Sequence, residues 1–307
     1  MAMLMGQCPA VAVAACACGC SCSAYPDAQR TSGTGGGGGG TGAVGKRTCR
    51  PPAGQYRPPV PTAVVTGVSR RAGIAWGVVE RLLADGWAVS ATGWPGHDEE
   101  QPWGADADDP DIPGVTWTAA DLADPRTPAR LVDDHLARHG GLDALVAVHA
   151  RSSDQDLASV TAEELDLSFA VNARATVLLV QAAARAGVHR VVLFTTGVHR
   201  EPMPTEIPYA VSKAAVQGLT TTFAAALAPQ GTTVNCVNPG PNDTGWADEG
   251  TRAHIASRMP LAARWGTPRD AAGLVAFLVS DDAGWITGQT VDSDGGWTLR
   301  GGVLPRD

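Results

Sequence analysis

The stretch Ala63-Val64-Val65-Thr66-Gly67-Val68-Ser69-Arg70-Arg71-Ala72-Gly73-Ile74-Ala75 decides the fold of this chain. Its first four residues read as a short apolar strand. From Ala72 to Asp85 apolar residues recur at helical spacing (Ile74, Val78, Val79, Leu82, Leu83), and Gly86 follows as a helix stop. A glycine-bearing turn therefore joins a first strand to a first helix. In a doubly wound sheet that turn receives a dinucleotide pyrophosphate. Glycines let the backbone approach the phosphates, and the helix N-terminus offers free N–H groups and a positive dipole. A glycine turn alone is a weak signal; its place after the first strand gives it weight.

The same alternation runs on from there. Strand-like runs at Trp87–Thr92, Val115–Ala119, Leu142–His149, Arg190–Thr195, Thr232–Val237 and Gln289–Val291 are separated by helix-like runs. The helical runs are Thr127–His139, Thr161–Ala186, Tyr209–Ala228 and Thr267–Val279. Thr161-Ala-Glu-Glu164 predicts a capping box, and Thr267-Pro268-Arg-Asp270 combines an N-cap, an N1 proline and an early acid. The acidic, Pro/Gly-rich stretch Gly93–Gly114 has no periodicity. This order predicts an α/β fold: one doubly wound parallel sheet with helices on both faces.

The loop also carries Ser69, Arg70 and Arg71, and no acid ends the second strand at Ala91-Thr92-Gly93. An acid there would bind a ribose 2′-OH, whereas an arginine accommodates a 2′-phosphate, so NADP(H) is expected over NAD(H). Downstream, Tyr209-Ala-Val-Ser-Lys213 places a phenol and an ammonium one helical turn apart. A free phenol titrates near about 10. A neighbouring cation favours phenolate, which predicts a tuned general acid/base.

The first 60 residues differ from the rest. They hold six of the seven cysteines and the run Gly35–Gly40, and little in them could form an amphipathic element. They read as a disordered extension, or as sequence ahead of the true start, with residues 61–307 as the folded domain. Cys16, Cys18, Cys20 and Cys22 follow C-x-C-x-C-x-C rather than the paired C-x-x-C of zinc sites, so no metal is expected. Val13-Ala14-Ala15-Cys16 resembles a lipoprotein cleavage box but no basic residue precedes Arg30, which argues against export. The chain's net charge is −8; the extension carries five bases and one acid, leaving the body at −12. An acidic body argues against nucleic acid or an anionic membrane as its partner. One body cysteine, Cys236, fits a reducing cytoplasm, and no apolar run is expected to span a bilayer.

With these motifs in place, the chain from Pro61 to Gly302 resembles the short-chain dehydrogenase/reductase family. The matching pieces are Thr66-Gly67…Gly73-Ile74-Ala75, Asp121-Leu122, Val171-Asn172, Thr195-Thr196-Gly197, Tyr209-x-x-x-Lys213, Asn238-Pro239-Gly240-Pro241 and Ile286-Thr287-Gly288-Gln289. Gln101-Pro-Trp-Gly104, the five-residue loop insert and Asn238–Trp246 resemble a subgroup of 3-oxoacyl-[acyl-carrier-protein] reductases. The resemblance implies a Rossmann-type fold and hydride transfer between nicotinamide and a carbonyl or secondary alcohol. The substrate would be a small molecule or an acyl thioester. It further implies Tyr209 as proton donor/acceptor, and Lys213 as the group that lowers its pKa and binds the nicotinamide ribose. Asn172 would hold a relay water, and Thr196 would stand where the family has a catalytic serine. Gly67, Ser69, Arg70, Arg71, Gly73 and Ile74 would hold the phosphates. Asp121 would contact the adenine, Leu122, His149 and Ala150 would also bind the cofactor, and Pro239, Gly240 and Thr244 would lie along the nicotinamide. The family also implies a homotetramer or homodimer built on the helices at 161–186 and 209–228.

Three departures stand out: Thr196 for serine, Val148-His149-Ala150-Arg151 for Asn-Asn-Ala-Gly, and Ala75 for the last loop glycine. They predict altered substrate use or weaker activity. Two competing readings are an enoyl reductase, whose glycine loop has similar spacing, and a non-catalytic dinucleotide-binding protein. The enoyl reductases usually separate their Tyr and Lys by six residues, where this chain has three. Trp76, Trp87 and Trp117 read as packing residues, and Trp246, His199, Arg200 and Met203 as candidates for the substrate entrance. His135 and His139 read as a solvated helix face, and Asp106, Asp108, Asp109 and Asp111 as a solvated loop.

Overall fold

The computed structural model describes residues 60–197, 202–261 and 263–302. Seven parallel strands form one sheet in the order β3-β2-β1-β4-β5-β6-β7. They are β1 (Thr62–Thr66), β2 (Ala88–Gly93), β3 (Thr116–Ala119), β4 (Ala144–Ala147), β5 (Arg190–Phe194), β6 (Thr233–Asn238) and β7 (Thr290–Asp292). Chain order reverses between β1 and β4, which pair directly with Thr66 opposite Ala147. The crevice beyond the strand ends at such a reversal is where doubly wound sheets bind ligands.

Strand alternation builds a core on each face. Ala63 and Val65 of β1, Val146 of β4 and Phe194 of β5 point to one side. There they meet Val78, Val79 and Leu82 of α1 (Ile74–Ala84) and Val275 and Leu278 of α8 (Pro268–Val279). A Cβ on Gly77 would come within 2.7 Å of Pro268 Cβ, so these two helices touch backbone to ring. Val64, Leu145 and Leu193 point the other way, onto α3 (Thr127–His139), α5 (Ala175–Arg185) and α6 (Ile207–Leu227). The turn Ile286–Gln289 is fixed by Asn235, which donates to Ile286 O and accepts from Gln289 N.

The structure corrects several expectations. The aperiodic stretch after β2 contains a short helix, α2 (Pro95–Glu99). Five residues are too few to show a period. The helix expected from Thr161 to Ala186 is α4 (Ala162–Ser168), a π turn (Phe169–Arg174) and α5. Together Ala162–Arg185 is long and apolar enough to cross a membrane by length and composition, contrary to expectation, but more than half of its apolar 18-residue segment is buried within the fold. Only half of the predicted capping box at Thr161 forms: its hydroxyl accepts from Glu164 N, while the Glu164 carboxylate turns to Arg151 and Ser168. At α8, Asp270 does reach back, accepting from both Thr267 N and Thr267 Oγ1. His135 is not solvated; it lies on the inner face of α3 with Nδ1 2.8 Å from Ser90 Oγ. A further helix, α7 (Glu249–Arg258), carries no buried residue and left no core-facing stripe to read.

Candidate active site

Tyr209 sits in the first turn of α6, which opens on Ile207-Pro208. Proline suits that position because its missing N–H has no intrahelical partner there. The Tyr209 phenol is hydrogen-bonded to Thr196, just beyond β5, and Thr196 Oγ1 also donates to Met203 Sδ at 3.8 Å. Lys213 lies one turn further on and is buried. Its ammonium donates to the carbonyls of His149 (3.2 Å) and Phe194 (3.1 Å). The electrostatics depart from the sequence expectation. Burial, reinforced by the nearby Glu206 charge, pushes the Tyr209 phenol above its ordinary range, against the Thr196 hydrogen bond. Burial also lowers Lys213 to about 8. The ammonium is spent on two backbone carbonyls, so desolvation governs the phenol instead of a neighbouring cation.

Asn172 occupies the π turn and is fully buried. Its Oδ1 accepts from Arg151 N at 2.7 Å, and its Nδ2 donates to Arg151 O (2.8 Å) and Ser212 Oγ (2.9 Å). Ser212 in turn donates to Tyr209 O. One amide thus joins the loop after β4 to the helix bearing Tyr209 and Lys213. Arg151, bulky where glycine was expected, keeps its side chain largely buried, at 18% exposed. It makes a two-pronged contact with Glu164 at 2.8 and 2.9 Å and reaches Glu100 at 3.5 Å.

His149 replaces an asparagine and cross-links the sheet in its own way. Its Nδ1 is 2.6 Å from Thr66 Oγ1 and its Nε2 is 3.1 Å from Val171 O. A carbonyl only accepts, so Nε2 carries the proton and Nδ1 accepts from the Thr66 hydroxyl. Burial, with Lys213 beside it, lowers the imidazole to about 3 and keeps it neutral. A Cβ on Gly67 would fall 2.7 Å from His149 N, and Gly67 has φ +85°, so only glycine fits there.

The remaining predicted positions gather along the same strand ends. Gly73 is the N-cap of α1, with no side-chain cap and no acid in the first turn. Ile74 packs on the core behind it, and Ser69 is half-buried beside Gly93. Asp121 accepts from Ala123 N, and Leu122 is buried. Ala150 is exposed at the end of β4. Gly240 has φ +60° and lies against Asp294, and Asn242 donates to the Pro239 carbonyl. Arg70 does not stand free: it pairs with Asp98 and donates to Thr244 O. Arg71 pairs with Asp106, which is therefore more than a solvated loop acid. Trp246 is half-exposed and stacks obliquely on Trp265, while Trp117 donates to Val68 O. Nothing in the sequence marked Ser212, Glu206 or Asp98, because their roles depend on contacts across separate elements. His199 and Arg200 lie outside the described residues.

A family model described as Enoyl-(Acyl carrier protein) reductase matches residues 67–298. An uncharacterised oxidoreductase of Bacillus subtilis, YjdA, is 33% identical over 248 residues, which is 78% of this chain and 97% of that protein. The human dehydrogenase/reductase SDR family member 4 is 31% identical over 258 residues, 80% of this chain and 90% of its own length. A short-chain dehydrogenase/reductase from Serratia marcescens superposes with a TM-score of 0.67 at 29% identity, covering 78% of this chain and 98% of that one. With the sheet order, the glycine turn and the Tyr209–Lys213 helix, these matches place the chain in the short-chain dehydrogenase/reductase family.

Proposed function

We propose that the protein is an NADP(H)-dependent oxidoreductase that interconverts a ketone and a secondary alcohol on a small molecule or acyl thioester. The observation that carries this reading is the Thr196–Tyr209 hydrogen bond beside a buried Lys213, whose ammonium is held by carbonyls just after β4 and at the end of β5. The chain's own residues fit a dinucleotide. The first turn of α1 lacks any capping side chain or acid, leaving its N–H groups for a pyrophosphate. A bound nicotinamide would supply or accept the hydride.

Reduction builds negative charge on the substrate oxygen. Thr196 and Tyr209 would turn their hydroxyl hydrogens, which otherwise serve Met203 Sδ and each other, toward it as two donors. Tyr209 is a protonated phenol, and it can give its proton to that oxygen because the developing alkoxide is the stronger base; the upward shift on burial makes it a weaker acid than a free phenol. Lys213, held by two carbonyls, would meet the nicotinamide ribose. Asn172 fixes the geometry through Arg151 and Ser212. Arg70 and Arg71 flank the glycine loop and motivate the preference for a 2′-phosphate. Exposed Phe169 and Val211, on the π turn and α6, support assembly of two or four copies through these helices, which light scattering checks.

The test is NADPH oxidation with a panel of simple ketones, 3-oxoacyl thioesters and enoyl thioesters. Turnover of the ketones or 3-oxoacyl thioesters is expected. Turnover of the enoyl thioesters alone would make it an enoyl reductase, and binding without turnover would make it non-catalytic.

A further inference from the structure

Doubly wound folds read the adenosine ribose with either an acid or an arginine beside the second strand. This chain has both there, paired with each other. The glycine loop lies directly on the end of β2: Val68 N donates to Thr92 O at 2.8 Å, and a Cβ on Gly93 would sit 2.2 Å from Val68 O. α2 begins two residues after β2 and brings Asp98 against Arg70, with Nε to Oδ1 at 2.9 Å. Both side chains are largely buried, at 13% and 8% exposed. Trp103 Nε1 donates to the same carboxylate oxygen at 2.9 Å, and the guanidinium lies over the Trp103 ring, 5.5 Å from its centre. Arg70 Nη1 is taken by Thr244 O; among the described residues Nη2 has no partner. The Arg71–Asp106 pair is longer, at 3.5 Å, and Arg71 is half exposed. Such a pair holds its arginine weakly.

We propose that Asp98 is a selectivity residue: by holding Arg70 it opposes the 2′-phosphate of NADP(H) and narrows the margin over NAD(H). A phosphate approaching Arg70 meets a guanidinium already neutralised by a carboxylate, and that carboxylate repels it. A 2′-hydroxyl meets no such repulsion. The effect is larger than at a surface pair because the partners are partly desolvated. The inference rests on the dinucleotide reading above.

The experiment is titration of the full chain with NADPH and with NADH, following Kd. Asp98→Asn keeps the side-chain shape and an acceptor for Trp103 while removing the charge. It is expected to tighten NADPH about tenfold and leave NADH within about threefold. Arg70→Gln should weaken NADPH, and in the double variant the Asp98→Asn gain should vanish. Asp98→Ser serves as a second charge-free variant, and thermal melts confirm that each variant is folded. If both dinucleotides shift together, or the NADPH/NADH ratio is unchanged or falls, Asp98 is a purely structural residue and the inference is overturned while the dinucleotide reading stands. If the wild type binds neither dinucleotide, that reading fails and the inference with it.

Discussion

Thr196 is the position where a single methyl group separates this site from a serine-bearing one. Its hydroxyl is held between the Tyr209 phenol and Met203 Sδ, so χ1 is fixed by two contacts as well as by β-branching. Thr196→Ser should therefore keep activity within about threefold, whereas Thr196→Ala, which removes a donor to the developing charge, should lower kcat by about 100-fold. Steady-state kinetics with the best substrate of the panel checks both. Gly67 is constrained differently, by backbone alone. Gly67→Ala forces a Cβ against His149 at a φ of +85° and should cost about 3 kcal/mol in chemical denaturation. The sequence made Tyr209, Lys213 and Gly67 legible because each belongs to a local pattern. It misled about the phenol's electrostatics, because the spacing of Tyr209 and Lys213 does not reveal which carbonyls claim the ammonium.

At the level of elements, the strands and long helices could be read because alternation and helical periodicity repeat several times within each. The π turn and α2 could not: one is a local widening of a continuous helix, and the other is too short to have a period. Both matter to the site, since Asn172 stands on the first and Asp98 on the second. Arg151 shows how a departure is absorbed between elements. Its backbone is clamped by Asn172 irrespective of its side chain, and its guanidinium supports α4 through Glu164. Arg151→Gly should leave a partly buried carboxylate unpaired and cost about 2 kcal/mol. Arg151→Gly/Glu164→Gln should recover most of that loss, as a double-mutant cycle by thermal or urea unfolding would show.

For the molecule as a whole, two buried imidazoles contribute to its response to acid. Burial lowers His135 to about 4 and His149 to about 3. Unfolded, each titrates near about 6.5. As pH falls from about 6.5 toward 4, the unfolded chain takes up protons that the folded chain refuses, so stability falls with pH, by about 3 kcal/mol per histidine at pH 4. His135→Gln should flatten that slope, measurable as unfolding free energy against pH. The account's central claim is that Tyr209 protonates an oxygen to whose carbon a hydride is delivered. Its most direct test is deuterium transfer to a ketone from NADPH carrying deuterium at both C4 positions, by the wild type and Tyr209→Phe. The account predicts deuterium on the carbinol carbon of the wild-type product. It also predicts a rate at least about 1000-fold lower for Tyr209→Phe, which should still bind NADPH. Undiminished turnover in Tyr209→Phe, or a product without label on that carbon, would contradict it.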